Sequence, residues 1–326
     1  MSHRRVTPTG PPLFRWLVRA PALAAAAITV AGCTSEEAPQ VYTSTKAELV
    51  RHTVDSDGHP MAVWEKSGEK PTGVVLLLHG RTWSTLPDFD LQVEGEDLSL
   101  MDGLVEKGYA TYGLDMRGYG QTPRDVTGWL DADRAALDLA NVLGWVRSRH
   151  PGLDRPTLVG WSLGSMVSQL MVQRRPELVS GVVFFGYPVT PGRQFAEQED
   201  PAEPPREATT AEAAASDFIA PNAISQRAID AYVAASLAAD PVRVDWRRAY
   251  QWNALDPAKV IVRTLLLQGE LDPFAQTEDQ AAFFTELGTA DREWVTLPGG
   301  DHAAHLEAPR AMFISALVGF IERPHP

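Results

Sequence analysis

The sequence predicts an α/β fold, a doubly wound and mostly parallel sheet with an inserted helical cap. Three observations predict it. Continuous apolar runs of strand length, as at residues 74–78 and 157–161, suit strands buried on both faces. Segments with helical periodicity alternate with those runs. The alternation is interrupted once, from about residue 190 to 257, and then resumes.

In chain order, residues 47–54 and 61–64 read as two strands joined through Asp55-Ser56-Asp57-Gly58, a hairpin signal. Residues 74–78 give the first fully buried strand. Helical spacing over 98–105 ends at Lys107-Gly108, where a glycine fits the helix C-terminus. Residues 109–114 form the next strand, and 131–146 a helix with Leu137, Val142, Leu143 and Val146 along one side. Strand 157–161 runs through a turn into a helix carrying Met166, Val167, Leu170 and Met171 at helical spacing, and 182–185 is a further strand. Within the interruption, 194–207 is rich in acids and proline, while 209–252 is alanine-rich and mostly helical in pattern. Strand 260–267, helix 276–287, strand 294–297 and a last helix near 308–321 complete the sheet. The predicted core is therefore 47–189 with 258–326, and 190–257 is the cap.

The first 32 residues do not belong to that fold. Arg4, Arg5, Arg15 and Arg19 precede an apolar run over 21–30 that is too short to be a comfortable membrane span, the layout of a secretory signal peptide. It ends Val30-Ala31-Gly32-Cys33, which resembles the lipobox of bacterial lipoproteins. The resemblance implies cleavage before Cys33, acylation of that residue, and a polar tether over 33–46. The protein is then expected in the cell envelope, lipid-anchored and facing away from the cytoplasm. Cys33 is the only cysteine, so no intramolecular disulfide can form. Formal charge is −13, and removing the leader leaves 25 basic against 42 acidic residues, or −17. That balance argues against nucleic acid as a partner and against electrostatic docking on anionic lipid.

Chemistry concentrates at Gly160-Trp161-Ser162-Leu163-Gly164. A G-x-S-x-G turn between strand and helix holds its serine at strained backbone angles with the hydroxyl pushed out above the sheet, and its glycines allow close packing. Three other segments accompany it: His79-Gly80-Arg81 after an apolar strand, Asp115-Met116-Arg117-Gly118-Tyr119-Gly120 after the next, and the pair Gly269-Glu270-Leu271-Asp272 and Gly300-Asp301-His302 near the C-terminus.

Together, and in this order, these segments resemble the α/β-hydrolase superfamily over nearly all of the chain after residue 45. The resemblance implies a Ser162, Asp272, His302 triad, with an oxyanion hole from the backbone N–H groups of Arg81 and Leu163. It makes His79, Asp115 and Arg117 architectural. Glu270 competes with Asp272 for the acid role, and Asp272 is the better match. A carboxylate after the preceding strand is closed off, since Phe185-Gly186-Tyr187-Pro188 contains none. His305 reads as a packing residue, and His302, His305 and Asp301 lack the spacing of a metal site. Trp83 and Trp161 flank the site and are candidates to wall an acyl pocket.

The expected activity is hydrolysis of a carboxylic ester, small or lipid-derived, through an acyl-enzyme and without metal or cofactor. A thioesterase, a proline-iminopeptidase-like peptidase, a cofactor-free haloperoxidase-like protein, and a non-catalytic envelope lipoprotein on the same fold remain alternatives.

Overall fold

The computed structural model describes residues 47–324. The leader, the tether and Cys33 lie outside the described residues. No helix among the described residues is long and apolar enough to cross a membrane.

The chain opens with a hairpin, β1 (Val50–Ser56) and β2 (His59–Lys66). Its turn residues Asp57 and Gly58 both take positive φ, 51° and 80°, the twist that suits a two-residue hairpin. Then follow β3 (Gly73–Leu78), α1 (Thr85–Phe89), α2 (Leu100–Glu106), β4 (Tyr109–Leu114), the short β5 (Trp129–Leu130) and α3 (Ala132–Arg149). β6 (Thr157–Trp161), α4 (Leu163–Arg174) and β7 (Gly181–Phe185) come next. The inserted region holds α5 (Ala211–Ala215), α6 (Gln226–Ala239) and β8 (Asp245–Trp246). The chain closes with β9 (Thr264–Gly269), α7 (Thr277–Glu286), β10 (Arg292–Leu297) and α8 (Arg310–Glu322).

Eight strands form one sheet in the order β1-β2-β4-β3-β6-β7-β9-β10, antiparallel at β1–β2–β4 and parallel elsewhere. Successive strand residues face opposite sides. Val74, Leu76 and Leu78 accordingly pack with α3 and α4 on one face, and Val75 and Leu77 with α2 and α8 on the other. Burying each such side chain is worth roughly 1.5–3 kcal/mol, so the two apolar layers hold the strand ends in fixed register. Side-chain caps start the helices: Ser99 accepts from Asp102 N at 2.9 Å, Asp131 from Arg134 N at 3.0 Å, and Ser225 from Ala228 N at 3.0 Å.

Several expectations are corrected. α1 is absent from the sequence reading, because Pro87 stands inside a helix of only 5 residues. Leu137 is exposed, and Leu139 takes the buried face of α3 with Val142, Leu143 and Val146. β9 begins at Thr264 rather than at residue 260. The cap is less helical than its alanine content suggests. Besides α5 and α6 it contains β8, paired in parallel with β5, and a 3-10 helix at Ala249–Ala254.

Buried carboxylates fasten the cap to the core. Asp240, at the end of α6, accepts from Ser84 N at 2.8 Å and Gly120 N at 2.7 Å, and burial pushes its carboxyl up to about 6. Asp301 accepts from the amides of Ile219 and Ala220. Ala308 N donates to Ala223 O at 2.8 Å.

Candidate active site

The segments singled out in the sequence all leave the sheet at the C-terminal ends of parallel strands, the edge where open α/β sheets present their sites. His79-Gly80-Arg81 follows β3, Asp115 follows β4, Ser162 follows β6, Gly186 follows β7, Asp272 follows β9 and His302 follows β10.

Ser162 stands between β6 and α4 with φ 54° and ψ −118°, a conformation L-residues rarely adopt. The surroundings over-determine it. Ser162 N donates to Phe185 O at 2.9 Å, and Ser165 Oγ donates to Gly160 O at 2.6 Å. A methyl on Gly160 would meet Gly164 O, and one on Gly164 would press on the carbonyl oxygens of Leu78 and His79. Strand and helix are therefore too close for any other residue at these two positions.

His302 and Asp272 are joined directly, with Nδ1 donating to Asp272 Oδ2 at 2.8 Å, and both side chains are buried. The other Asp272 oxygen accepts from Phe274 N at 2.8 Å and Ala275 N at 3.3 Å. The imidazole lies between the rings of Trp161 and Phe274, at 5.6 and 5.0 Å, while Trp161 Nε1 donates to His302 O at 2.7 Å. With Nδ1 committed to the carboxylate, Nε2 is the nitrogen left for chemistry. Gly186 passes beneath this pair with φ 56°, and a Cβ there would lie 2.9 Å from the ring and 3.2 Å from Asp272 Oδ2. Glu270 points elsewhere and accepts from Gly299 N at 2.8 Å.

Two cavities meet at Ser162. One, of about 440 Å³, is lined by Ser162 and His302 together with Trp83, Trp161, Asp217 and Arg243. The other, of about 350 Å³, lies on the Leu163 side and is lined by Met166, Phe195, Trp246 and Trp252 among others. Trp83 and Trp161 thus wall the cavity that holds His302. Ser162 and His302 line this cavity together and are not hydrogen-bonded to each other.

Neither Arg81 N nor Leu163 N has an acceptor among the described residues, and both residues line the second cavity beside Ser162. Leu163 opens α4, so its amide is one of the free donors at a positive helix end. Gly80 N is already engaged by Asp88 at 3.4 Å. The Arg81 carbonyl is held from the cap: Trp246 Nε1 donates to Tyr119 Oη at 2.9 Å, and Tyr119 donates to Arg81 O.

His79 and His305 are fully buried and hydrogen-bonded within the fold. His79 accepts from Met116 N at 3.0 Å and donates to Gly80 O at 2.9 Å, and burial lowers it to about 4. His305 donates to Asp88 O at 2.8 Å inside a ring of aromatic side chains, and burial lowers it to about 3. Both are neutral. Asp115 receives Trp64 Nε1 at 2.9 Å and Thr85 N at 3.0 Å. Arg117 instead makes a two-point pair with Asp138 on α3, at 2.6 and 2.9 Å. Both serve the architecture, through separate partners.

A buried carboxyl pair escapes sequence reasoning. Tyr232 Oη lies 3.0 Å from Asp88 and 3.1 Å from Asp217, and Trp83 Nε1 donates to Asp217 at 2.8 Å. Burial pushes the Asp88 carboxyl well above the ordinary range and raises Asp217 as well. Asp217 and Tyr232 belong to the cap, and no spacing in the chain pairs them with Asp88.

This mostly parallel, helix-flanked sheet is that of an α/β-hydrolase. The chain belongs to the family described as serine aminopeptidase, S33, whose model matches residues 69–309. Solved structures with the same fold include a serine hydrolase involved in carbazole degradation (19% identity, 84% of this chain and 99% of that one, TM-score 0.59). A membrane phospholipase A described as a bacterial virulence factor matches at 18% identity (84% and 87%, TM-score 0.59). An esterase from Exiguobacterium antarcticum matches at 18% (84% and 100%, TM-score 0.56). No curated protein matches the chain in sequence.

Proposed function

We propose that this protein is a serine hydrolase of carboxylic esters, held at a membrane by a lipid on Cys33. The observation that carries the reading is the strained Ser162 facing one cavity with the His302–Asp272 pair.

In this mechanism His302 Nε2 takes the Ser162 proton as Oγ bonds to the ester carbonyl carbon. The carbonyl π pair moves onto oxygen, and the N–H groups of Arg81 and Leu163 receive that charge. Losing one such donor costs about 2.7–4 kcal/mol of transition-state stabilisation. Collapse of the intermediate breaks the bond to the leaving oxygen, which departs with the proton from His302. Water, deprotonated by His302, adds to the acyl carbon, and collapse breaks its bond to Ser162 Oγ, which takes the proton back from His302 as the acid leaves. Asp272 holds the imidazole tautomer throughout and offsets its charge.

This assigns space. The leaving group must lie beside His302, so it takes the 440 Å³ cavity, and the acyl chain takes the 350 Å³ one. No carboxylate lines the acyl cavity to receive the α-ammonium of an amino-terminal residue, which weighs against aminopeptidase activity.

A fluorophosphonate probe is expected to label the wild type and not Ser162→Ala, while p-nitrophenyl esters turn over faster than acyl-thioesters or aminoacyl arylamides. A folded wild type that resists the probe ends the proposal. The Cys33→Ser variant should leave the detergent phase for the aqueous phase; unchanged partitioning removes the anchor.

A further inference from the structure

The acyl cavity is unusual for a chain with formal charge −13. Its charged lining residues are Arg81, Arg193 and Arg247, with no carboxylate among them. The acids whose charge acts on Arg81, Asp245 and Glu207, lie outside this lining, and Asp245 already faces Arg124 at 3.3 Å. Arg193 makes no ion pair among the described residues and lies over the Phe195 ring at 5.0 Å. Arg247 Nε is buried without a hydrogen-bond partner, and Asp131, 3.8 Å away, is shared with Arg248.

These cations sit on a built wall. Asn253 pins Phe195 at both backbone groups, accepting from N at 2.7 Å and donating to O at 2.9 Å. Arg247 N donates to Leu130 O at 2.9 Å beside the β5–β8 pair. Three guanidinium groups line this cavity, and the contact of Arg247 with Asp131 is the one ion pair any of them makes among the described residues, so a ligand that carries negative charge would offset the remaining positive charge. Guanidinium forks suit that ligand, because they meet carboxylate and phosphate oxygens two at a time.

We propose that the acyl group of the substrate carries an anionic head, a carboxylate in its simplest form, held by Arg193 and Arg247 with Arg81 at the neck of the cavity. The proposal rests on the serine-hydrolase reading, which decides which cavity takes the acyl chain. The apolar residues Met166, Trp246 and Trp252 pack the methylenes between the ester and the head. Half-esters of short dicarboxylic acids have this form; a long neutral fatty acyl chain does not.

The test compares mono-p-nitrophenyl glutarate with p-nitrophenyl valerate, matched in chain length and leaving group. The wild type should favour the glutarate in kcat/KM by roughly ten- to a hundredfold, the range for hydrogen bonds to charged groups. The Arg193→Gln/Arg247→Gln double variant should bring the ratio to near one. The exposed Arg51→Gln variant removes the same kind of charge elsewhere and should keep the wild-type ratio. Equal or better hydrolysis of valerate by the wild type overturns the inference alone, and that comparison needs no variant to fold. A ratio that falls as far in Arg51→Gln makes the preference a bulk-charge effect and overturns it too. Failure to cleave either ester, with no fluorophosphonate labelling, removes the hydrolase reading beneath it.

Discussion

Gly186→Ala probes how tightly the His302–Asp272 pair is held. The glycine has φ 56°, where an alanine costs about 1–2 kcal/mol. Its methyl would lie 2.9 Å from the imidazole and 3.2 Å from the Asp272 carboxylate, closer than a carbon can approach a ring. The backbone cannot retreat easily, since Gly186 N donates to Leu267 O and Ser162 N to Phe185 O. The ring must therefore shift, and a displacement of about 1 Å can cost on the order of 100-fold in rate. We expect kcat on a p-nitrophenyl ester to fall between tenfold and a hundredfold, by order of magnitude. The melting temperature should drop by roughly 2–8 °C, the equivalent of the backbone term in a domain of this size. Unchanged kcat with a lowered melting temperature would refute the reasoning, because the pair would then tolerate the intrusion.

Asp272→Asn should lower kcat by about 10³–10⁴-fold through loss of the correct imidazole tautomer, whereas Glu270→Gln should stay within a few-fold, as steady-state kinetics on one ester will show. Glu307 gives a pH signature. Burial pushes its carboxyl up to about 8 from an ordinary 4.5, so the folded protein keeps a proton that the unfolded chain releases. Its contribution to stability is thus present below pH 4.5 and lost as pH rises toward 8, with a slope approaching about 1.4 kcal/mol per pH unit. Denaturant unfolding at a series of pH values should show this slope flattened in Glu307→Gln, whose oxygen can still accept from Asp301 N.

The sheet was legible because burial on both faces leaves its strands no choice of pattern: the bounds of β4 and β6 agree with the apolar runs residue for residue. The same holds for the turn at Ser162, where two flanking glycines answer a steric demand written locally. Where two solutions share one local pattern, the chain misleads. Leu137 and Leu139 both suit a helix face, and only packing against the sheet selects Leu139. Arg117 sits two residues from Asp115 yet pairs with Asp138 on α3. The cap is least legible, because Asp217, Tyr232, Arg193 and Arg247 acquire meaning only from core residues far away in sequence.

Asp301 precedes His302 in the chain and grips two amides of the cap. Its other oxygen accepts from Ala303 N at 2.8 Å, so a single carboxylate ties the cap to the loop that carries His302. A foreign insertion grafted in place of the cap would need two amides to meet Asp301 and an acceptor for Ser84 N and Gly120 N where Asp240 stands, or leave those groups unpaired at a cost of about 1–3 kcal/mol each.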